Sequence, residues 1–360
     1  MKILAIESSC DETSAAVVEK SGKKILVHSN ITATSLQIHA ETGGIIPENA
    51  AREQLKFIIP VITTALLESE GEKAEKIEKE NYSRAKKILE EKIDAIAVTY
   101  GPGLIGSLLV GVETTKTLSF VFQKPLIPVN HLLAHLFANF ISSKNNSYSL
   151  TPNSSFPFIG LIVSGGHTDL LYYKSLHEYT WLGGTRDDAA GEALDKIGRI
   201  LGLSYPAGPE IEKRAKLGNK TSIRFHAPLL GVETYDFSFS GLKTEAARFI
   251  EKNRLTEDLK NDICFAVQKA VIDVLVRKTL NAAEEFKCQT ILLGGGVSAN
   301  NTLRKAFQSY IIDHKSYINI FSPEKKYCTD NAAMIGSHAL LINNTVSWKK
   351  VSANPELYFA

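Results

Sequence analysis

The chain has 360 residues, 44% of them hydrophobic and 22% charged, which excludes a disordered, collagen-like or coiled-coil protein. At roughly 150 residues per domain this length predicts about two domains, with a core large enough to fold without disulfides or structural metal. The 41 basic and 39 acidic side chains leave a formal charge of +2, which excludes a histone-like polycation but not a local basic patch.

The opening reads strand, turn, strand. Residues 3–7 are β-rich, residues 8–13 form a polar turn, and residues 14–19 are apolar again. The first apolar run stops at Glu7 with no cleavage site behind it, and no Arg-rich, acid-poor presequence is present, so a cytoplasmic protein is expected. Cys10, Cys264, Cys288 and Cys328 form no CxxC pair and match neither a disulfide framework nor a zinc ribbon, so reduced thiols are expected. Gly22 turns the chain into a third strand over residues 25–31. Pro47 opens a long helical pattern carried by Leu55, Ile58, Ile59 and Ile62, which Pro60 is expected to kink.

Residues 68–92 are almost wholly charged, with both signs in alternating blocks, and predict a solvated helical hairpin or extension. Residues 93–99 predict a strand, Gly101-Pro102-Gly103 a turn, and residues 104–122 a helix. No apolar stretch is expected to reach the ~18 residues of a membrane span, since the best run, residues 104–112, is interrupted by Gly106, Ser107 and Gly111. Another strand follows over residues 126–130, and a helix starts near His131. The Ser-, Asn- and Pro-rich residues 142–155 predict a surface loop between lobes.

The second half echoes the first. A strand over residues 158–163 runs into Ser164-Gly165-Gly166-His167-Thr168 and a second strand over residues 169–173, as at the N-terminus. Ile291-Leu292-Leu293 runs into Gly294-Gly295-Gly296 and a helix from about Ala299, as residues 96–122 do. The echoes predict a duplicated α/β fold whose copies face each other across a cleft, with backbone N–H groups of the turns gripping phosphate from both sides. The division is expected near residue 127. An N-terminal lobe, residues 1–127, is completed by a C-terminal helix over about 330–360, and residues 128–329 form the other lobe.

The sharpest chemical signal is His131-Leu132-Leu133-Ala134-His135. Histidines at i and i+4 share one helix face and can reach one metal ion, although one core and one surface histidine would give the same spacing. A zinc protease of the HExxH kind needs a glutamate base where Leu132 stands. A third ligand has its best candidate in Cys328-Thr329-Asp330-Asn331, where Asp330 reads equally as a first-turn acid or helix cap. The Gly-rich turns point to a nucleotide, because backbone without Cβ lets oxyanions approach the N–H groups. There is no Walker A sequence, and the Gly-Gly-Gly run lacks the dinucleotide fingerprint. In a helix over residues 187–196, Asp188, Glu192 and Asp195 would share one face, either as a solvated acidic surface or as a wall that recognises hydroxyl or ammonium groups.

Together these motifs resemble the tRNA N6-adenosine threonylcarbamoyltransferases, the glycoprotease-like family, in its bacterial and organellar form. The resemblance rests on residues 6–13, 43–48 with 51–53, 101–104, 130–135, 163–168, 187–196, 205–209, 237–244, 294–300 and 328–331, in order along nearly the whole chain. It implies the duplicated actin/hexokinase-like (ASKHA) α/β fold. It implies a mononuclear divalent metal, iron or zinc, held by His131, His135 and Asp330. It also implies adenylate contacts from Ile162, Val163, Ser164, Gly165, Gly166, Asp195, Gly208 and Asn300.

The implied reaction moves threonylcarbamoyl from L-threonylcarbamoyladenylate to N6 of adenosine 37 in tRNAs that read codons starting with A, and AMP leaves. Asp11 and Glu12 are candidates for the general base, or else cap their turn. The implied partners are tRNA, a smaller related dimerising protein, a P-loop ATPase and a separate synthase that makes the adenylate. Residues 68–92 and 142–155 look long for the family, and Leu132-Leu133-Ala134 departs from its common form. A small-molecule kinase of the same fold, a metalloprotease and a pure scaffold are the competing readings. Phosphorylation without metal at the histidines would mark the kinase, and stoichiometric metal binding would exclude the scaffold.

Overall fold

The apolar runs at the N-terminus become β1 (Lys2–Glu7) and β2 (Glu12–Ser21), antiparallel partners that set Leu4 opposite Val17 and Glu7 opposite Ser14. β3 (Lys24–Thr34) pairs antiparallel with β2. The computed structural model describes residues 1–35, 46–73, 77–142, 150–151, 155–219, 223–227, 229–314 and 317–359. Residues 43–45 of the family motif and most of the loop expected over 142–155 lie outside the described residues.

After α1 (Pro47–Glu68) and α2 (Lys79–Lys92), β4 (Ala95–Gly101) joins β1 in parallel. α3 (Ile105–Phe122) leads to β5 (Leu126–Asn130), parallel to β4, and to the short α4 (His131–Phe137). The sheet order is β3-β2-β1-β4-β5. β1 and β4 read as nearly continuous apolar runs because both faces of the sheet are covered. Leu4, Ile6, Val17, Ile96 and Val98 share a core with α1, α2 and α3. On the opposite face Ala5 and Val18 meet Gly336 of α10 (Ala332–Ile342), where a Cβ would lie 2.5 Å from Val18 Cγ2.

The second sheet is built from β6 (Phe158–Val163), β7 (Thr168–Ser175), β8 (Glu178–Gly184), β9 (Thr290–Gly294) and β10 (Asn319–Phe321), in the order β10-β9-β6-β7-β8. As in the first sheet, the opening strand is antiparallel to the second and the second to the third, while the opening strand is parallel to the fourth and the fourth to the fifth. Its helices are α5 (Ala190–Ile200), α6 (Gly208–Ala215), α7 (Ser240–Lys252), α8 (Glu257–Glu285) and α9 (Asn301–Asp313). Phe237, Phe239, Phe307 and the apolar face of α8 fill this core.

The chain divides into two compact units, Met1–Ser154 with Thr329–Ala360, and Ser155–Cys328. The division expected at residue 127 is displaced, because β5 hydrogen-bonds to β4 and α4 packs on α10, which holds residues 128–142 in the first unit. Two further expectations need correction. The charged stretch is not wholly solvated: Ala85, Ile88 and Leu89, at i, i+3 and i+4, are buried, and their helix α2 packs on α1. α3 is long and apolar enough to cross a membrane by composition, contrary to the expectation from its small residues. In the fold those residues serve close packing instead, with Gly111 set against Ser8 and Gly106 against Ala51. α1 continues through Pro60 to Glu68.

His338 of α10 is buried edge-on against Phe137 of α4, with ring centroids 4.5 Å apart, and its Nδ1 has no hydrogen-bond partner. Burial pushes its imidazole down to about 3. Because the folded value is depressed, the unfolded chain takes the proton first and stability falls as pH drops below the ordinary imidazole value. His338→Met should therefore reduce the stability lost between pH 7 and pH 5 by about 2 kcal/mol, measured by urea unfolding at both pH values.

Candidate metal centre

α4 has seven residues, all buried, and starts directly at the end of β5. Asn130 makes that abrupt entry possible: its Oδ1 accepts from the N–H groups of Leu132 (2.9 Å) and Leu133 (3.2 Å), and its Nδ2 donates to Tyr358 O at 3.3 Å. Asn130→Ala leaves both N–H groups without that acceptor and should cost about 1–2 kcal/mol in urea unfolding.

The helical spacing stacks His131 over His135, with ring centroids 4.8 Å apart. Asp330 approaches both: its Oδ1 lies 3.5 Å from His131 Nε2 and 3.4 Å from His135 Nε2. The two readings of Asp330 are separated here. Asn331 is the cap of α10, accepting from Met334 N at 3.1 Å, and Asp330 sits one residue outside the helix, turned to the histidine pair. One ligand atom from each of His131, His135 and Asp330 lies within 4.8 Å of the others. His135 is 1% exposed, yet neither of its ring nitrogens has a hydrogen-bond partner. A cation among the three groups would supply what those nitrogens lack. Two imidazoles and a carboxylate suit zinc or iron(II).

The electrostatics are those of an anionic hole. Burial alone would raise Asp330, but the charge of His131 and the close approach of both imidazoles hold it well below the usual carboxylate range. Burial would lower His131, yet Glu7 and Asp330 hold it well above the ordinary imidazole value. His135 is pushed down by burial and by its neighbour's charge. Glu12 is pushed up to about 10 by burial and the Asp330 and Asp11 charges. Glu12 opens β2, and Asp11 precedes it in a turn pinned by Gln54 Nε2, which donates to Cys10 O (3.1 Å) and Glu12 O (2.9 Å). The same turn packs on the β4–α3 turn, where Leu104 N donates to Ser9 O at 2.8 Å.

In the second unit Ile162 to Gly166 lie at the carboxyl end of β6 and Asn300 follows β9, the usual ligand-binding edge of such sheets, while Asp195 and Gly208 lie on α5 and α6. Ile162 and Val163 are buried strand residues, and Ser164 closes the turn by donating its N–H to His167 O at 2.8 Å. Gly165 and Gly166 are exposed, and a Cβ on either would meet nothing within 4 Å. Asp195 accepts from Ala207 N at 2.7 Å beside Gly208, the first residue of α6, and burial raises its carboxyl. Asn300 caps α9 through Leu303 N (3.0 Å) and donates to Gln268 Oε1 (2.9 Å). The single acidic face expected over residues 188–195 does not form. Asp188 precedes α5 and, with Glu192, pairs with Lys196, while Asp195 turns to Ala207. Glu7 is marked in the sequence only as the end of an apolar run within a family motif, and Thr99 only as a strand residue, yet Glu7 stands behind His131 and Thr99 donates to the same Glu7 oxygen.

A family model described as tRNA N6-adenosine threonylcarbamoyltransferase matches residues 26–337. Proteins of that name from Moorella thermoacetica and Clostridium kluyveri are 43% and 45% identical to this chain, over 94% of it and over 90% and 92% of their own length. The one from Thermosipho melanesiensis is 43% identical over 99% of both chains. Among solved structures, HypF of T. kodakarensis superposes with a TM-score of 0.57 at 15% identity. It covers 95% of this chain and 47% of the HypF chain, a likeness of fold alone.

Proposed function

The chain belongs to the tRNA N6-adenosine threonylcarbamoyltransferase family, and from that premise we propose that it moves threonylcarbamoyl from L-threonylcarbamoyladenylate to N6 of adenosine 37 in tRNAs reading codons that start with A, releasing AMP. The observation that carries the reading is 43% identity over 99% of both chains to a protein of that name, joined to the His131–His135–Asp330 cluster. The repeated strand order of the two sheets supports the actin/hexokinase-like fold. The kinase reading leaves the histidine pair without a role, and Leu132 leaves the protease reading without its base.

His131, His135 and Asp330 would hold one divalent ion, iron by preference or zinc, which when bound supplies a Lewis acid for carbamoyl or phosphate oxygens. The donor is a mixed anhydride with AMP as a good leaving group, so no protein nucleophile is required. Ser164 uses its N–H within the turn, so Gly165 and Gly166 N–H are the groups for the phosphate. The Asp195 carboxylate, and the second amide hydrogen of Asn300, are the groups for ribose or adenine. The N6 amine is a weak nucleophile because its lone pair is delocalised, so orientation supplies much of the rate. Asp11 and Glu12 are the groups for its proton.

The enzyme acts in the cytoplasm with tRNA, a smaller related dimerising protein, a P-loop ATPase and the synthase that makes its adenylate. Leu55 and Ile59 on α1 and Ile105 and Leu109 on α3 are exposed, and the two helices pack where Gly106 meets Ala51, which supports a protein-docking face. The test is rescue of bacterial cells depleted of their own transferase, scored by mass spectrometry of tRNA nucleosides. Return of threonylcarbamoyladenosine is expected. Its absence both in cells and in vitro with partners from the same source would reject the reaction.

A further inference from the structure

Glu7 ends β1, surrounded by apolar strand, and is 1% exposed. A carboxylate so placed must be hydrogen-bonded on both oxygens to persist. Its Oε1 accepts from Ser9 N at 2.6 Å. Its Oε2 accepts from Thr99 Oγ1 and faces His131 Nδ1 at 3.0 Å. Ser9 Oγ stands 3.2 Å from the same nitrogen. The opposite ring nitrogen, Nε2, is the one near Asp330.

From this geometry we propose that Glu7 is a positioning residue: it accepts the Nδ1–H of His131, directs the Nε2 lone pair at the metal, and so sets the metal affinity of the centre. The inference rests on the reading of His131, His135 and Asp330 as metal ligands. A carboxylate acceptor fixes both the tautomer and the ring plane of a ligating histidine and makes its other nitrogen more basic. Thr99 and Ser9 in turn fix the carboxylate, so the orientation passes from β4 and the β1–β2 turn to the ring. His135 has no such acceptor at its Nδ1. The two histidines are therefore unequal: His131 is the oriented, more basic ligand. Glu7 also adds a second negative charge beside the Asp330 carboxylate, so the pocket balances a divalent cation better than a monovalent one.

The test uses the full-length protein with zinc as probe. Zinc affinity is measured by competition with a chromophoric chelator for wild type, Glu7→Gln and Glu7→Asp, alongside the unfolding of each metal-free form. The neutral, nearly isosteric Gln should bind zinc about 10- to 100-fold more weakly. Asp, which keeps the charge on a shorter arm, should recover part of the loss. Nitrogen-15 histidine spectra of the zinc-loaded wild type should show Nε2 bound to metal and Nδ1 carrying a slowly exchanging proton. A folded Glu7→Gln that binds as tightly as wild type overturns the proposal, as does metal on His131 Nδ1 or an Nδ1 without its proton. The wild-type spectrum decides this even where a variant does not fold. A wild type that binds no zinc at His131 would reject the metal centre itself, and this role with it.

Discussion

His135→Ala is expected to lose stoichiometric metal and to reduce threonylcarbamoyl transfer by more than about a hundredfold, while the protein stays folded. The choice between the histidines follows from their surroundings. His131 lies between the buried carboxylate of Glu7 and the partly exposed one of Asp330, so His131→Ala leaves the buried Glu7 charge without its partner, and a change of that kind costs ~3–5 kcal/mol. His135 makes no hydrogen bond through either ring nitrogen, and its removal leaves a cavity rather than an unpaired charge. Metal content by elemental analysis, transfer by nucleoside mass spectrometry and unfolding by urea should separate the effects. Wild-type metal content and transfer in folded His135→Ala would reject its place in the centre. The His131→Ala, His135→Ala double variant should lose metal and transfer as well, with a lower urea midpoint than the single variant.

Gly295→Ala is expected to be the most damaging single-methyl change in the second unit. Gly295 has φ +88° and ψ 163°, a backbone region that only glycine occupies without strain. Its Cβ would lie 2.4 Å from Val163 O and 2.8 Å from Val163 C, which are strand backbone and have no side-chain freedom to give way. Strain and overlap together should cost about 3 kcal/mol or more. A Cβ at Gly165 or Gly166 meets nothing, so alanine there should leave stability nearly unchanged. The contrast separates two uses of glycine within neighbouring turns: Gly295 lets the chain leaving β9 pass close to the end of β6, whereas Gly165 and Gly166 leave backbone open on the outside. Urea midpoints for the three variants check it directly. A Gly295→Ala midpoint equal to that of Gly165→Ala would show that the strand ends separate easily.

Much of this molecule was legible in the sequence where the signal is local. The strand over residues 158–163 appears with the bounds its apolar run implied, and β5 ends at Asn130 and α4 begins at His131 as expected. The histidine pair was legible for the same reason, because i and i+4 define one helix face whatever surrounds the helix. The family was legible because its motifs run in order along most of the chain.

The misreadings came from judging long-range packing by local composition. The charged run over residues 68–92 hides Ala85, Ile88 and Leu89 as buried side chains, since burial of α2 depends on where α1 lies. The glycines and serines of α3 looked like interruptions of an apolar stretch, but they are contact points for Ala51 and Ser8. The boundary expected near residue 127 is displaced because the hydrogen bonds of β5 to β4 keep the next residues in the first unit.

By itself the sequence determined the α/β class, the order of most elements, the histidine pair, the Gly-rich turns and the family. Only the tertiary structure decided that Asp330 faces the histidines while Asn331 does the capping, that Asp188 and Glu192 are spent on Lys196, and that Glu7 stands behind His131. The physical reason is separation along the chain. Spacing of three or four residues is translated into geometry by one helix, whereas Glu7, Thr99, His131 and Asp330 come from four separate elements. Their meeting depends on strand order and helix packing, which no local pattern encodes.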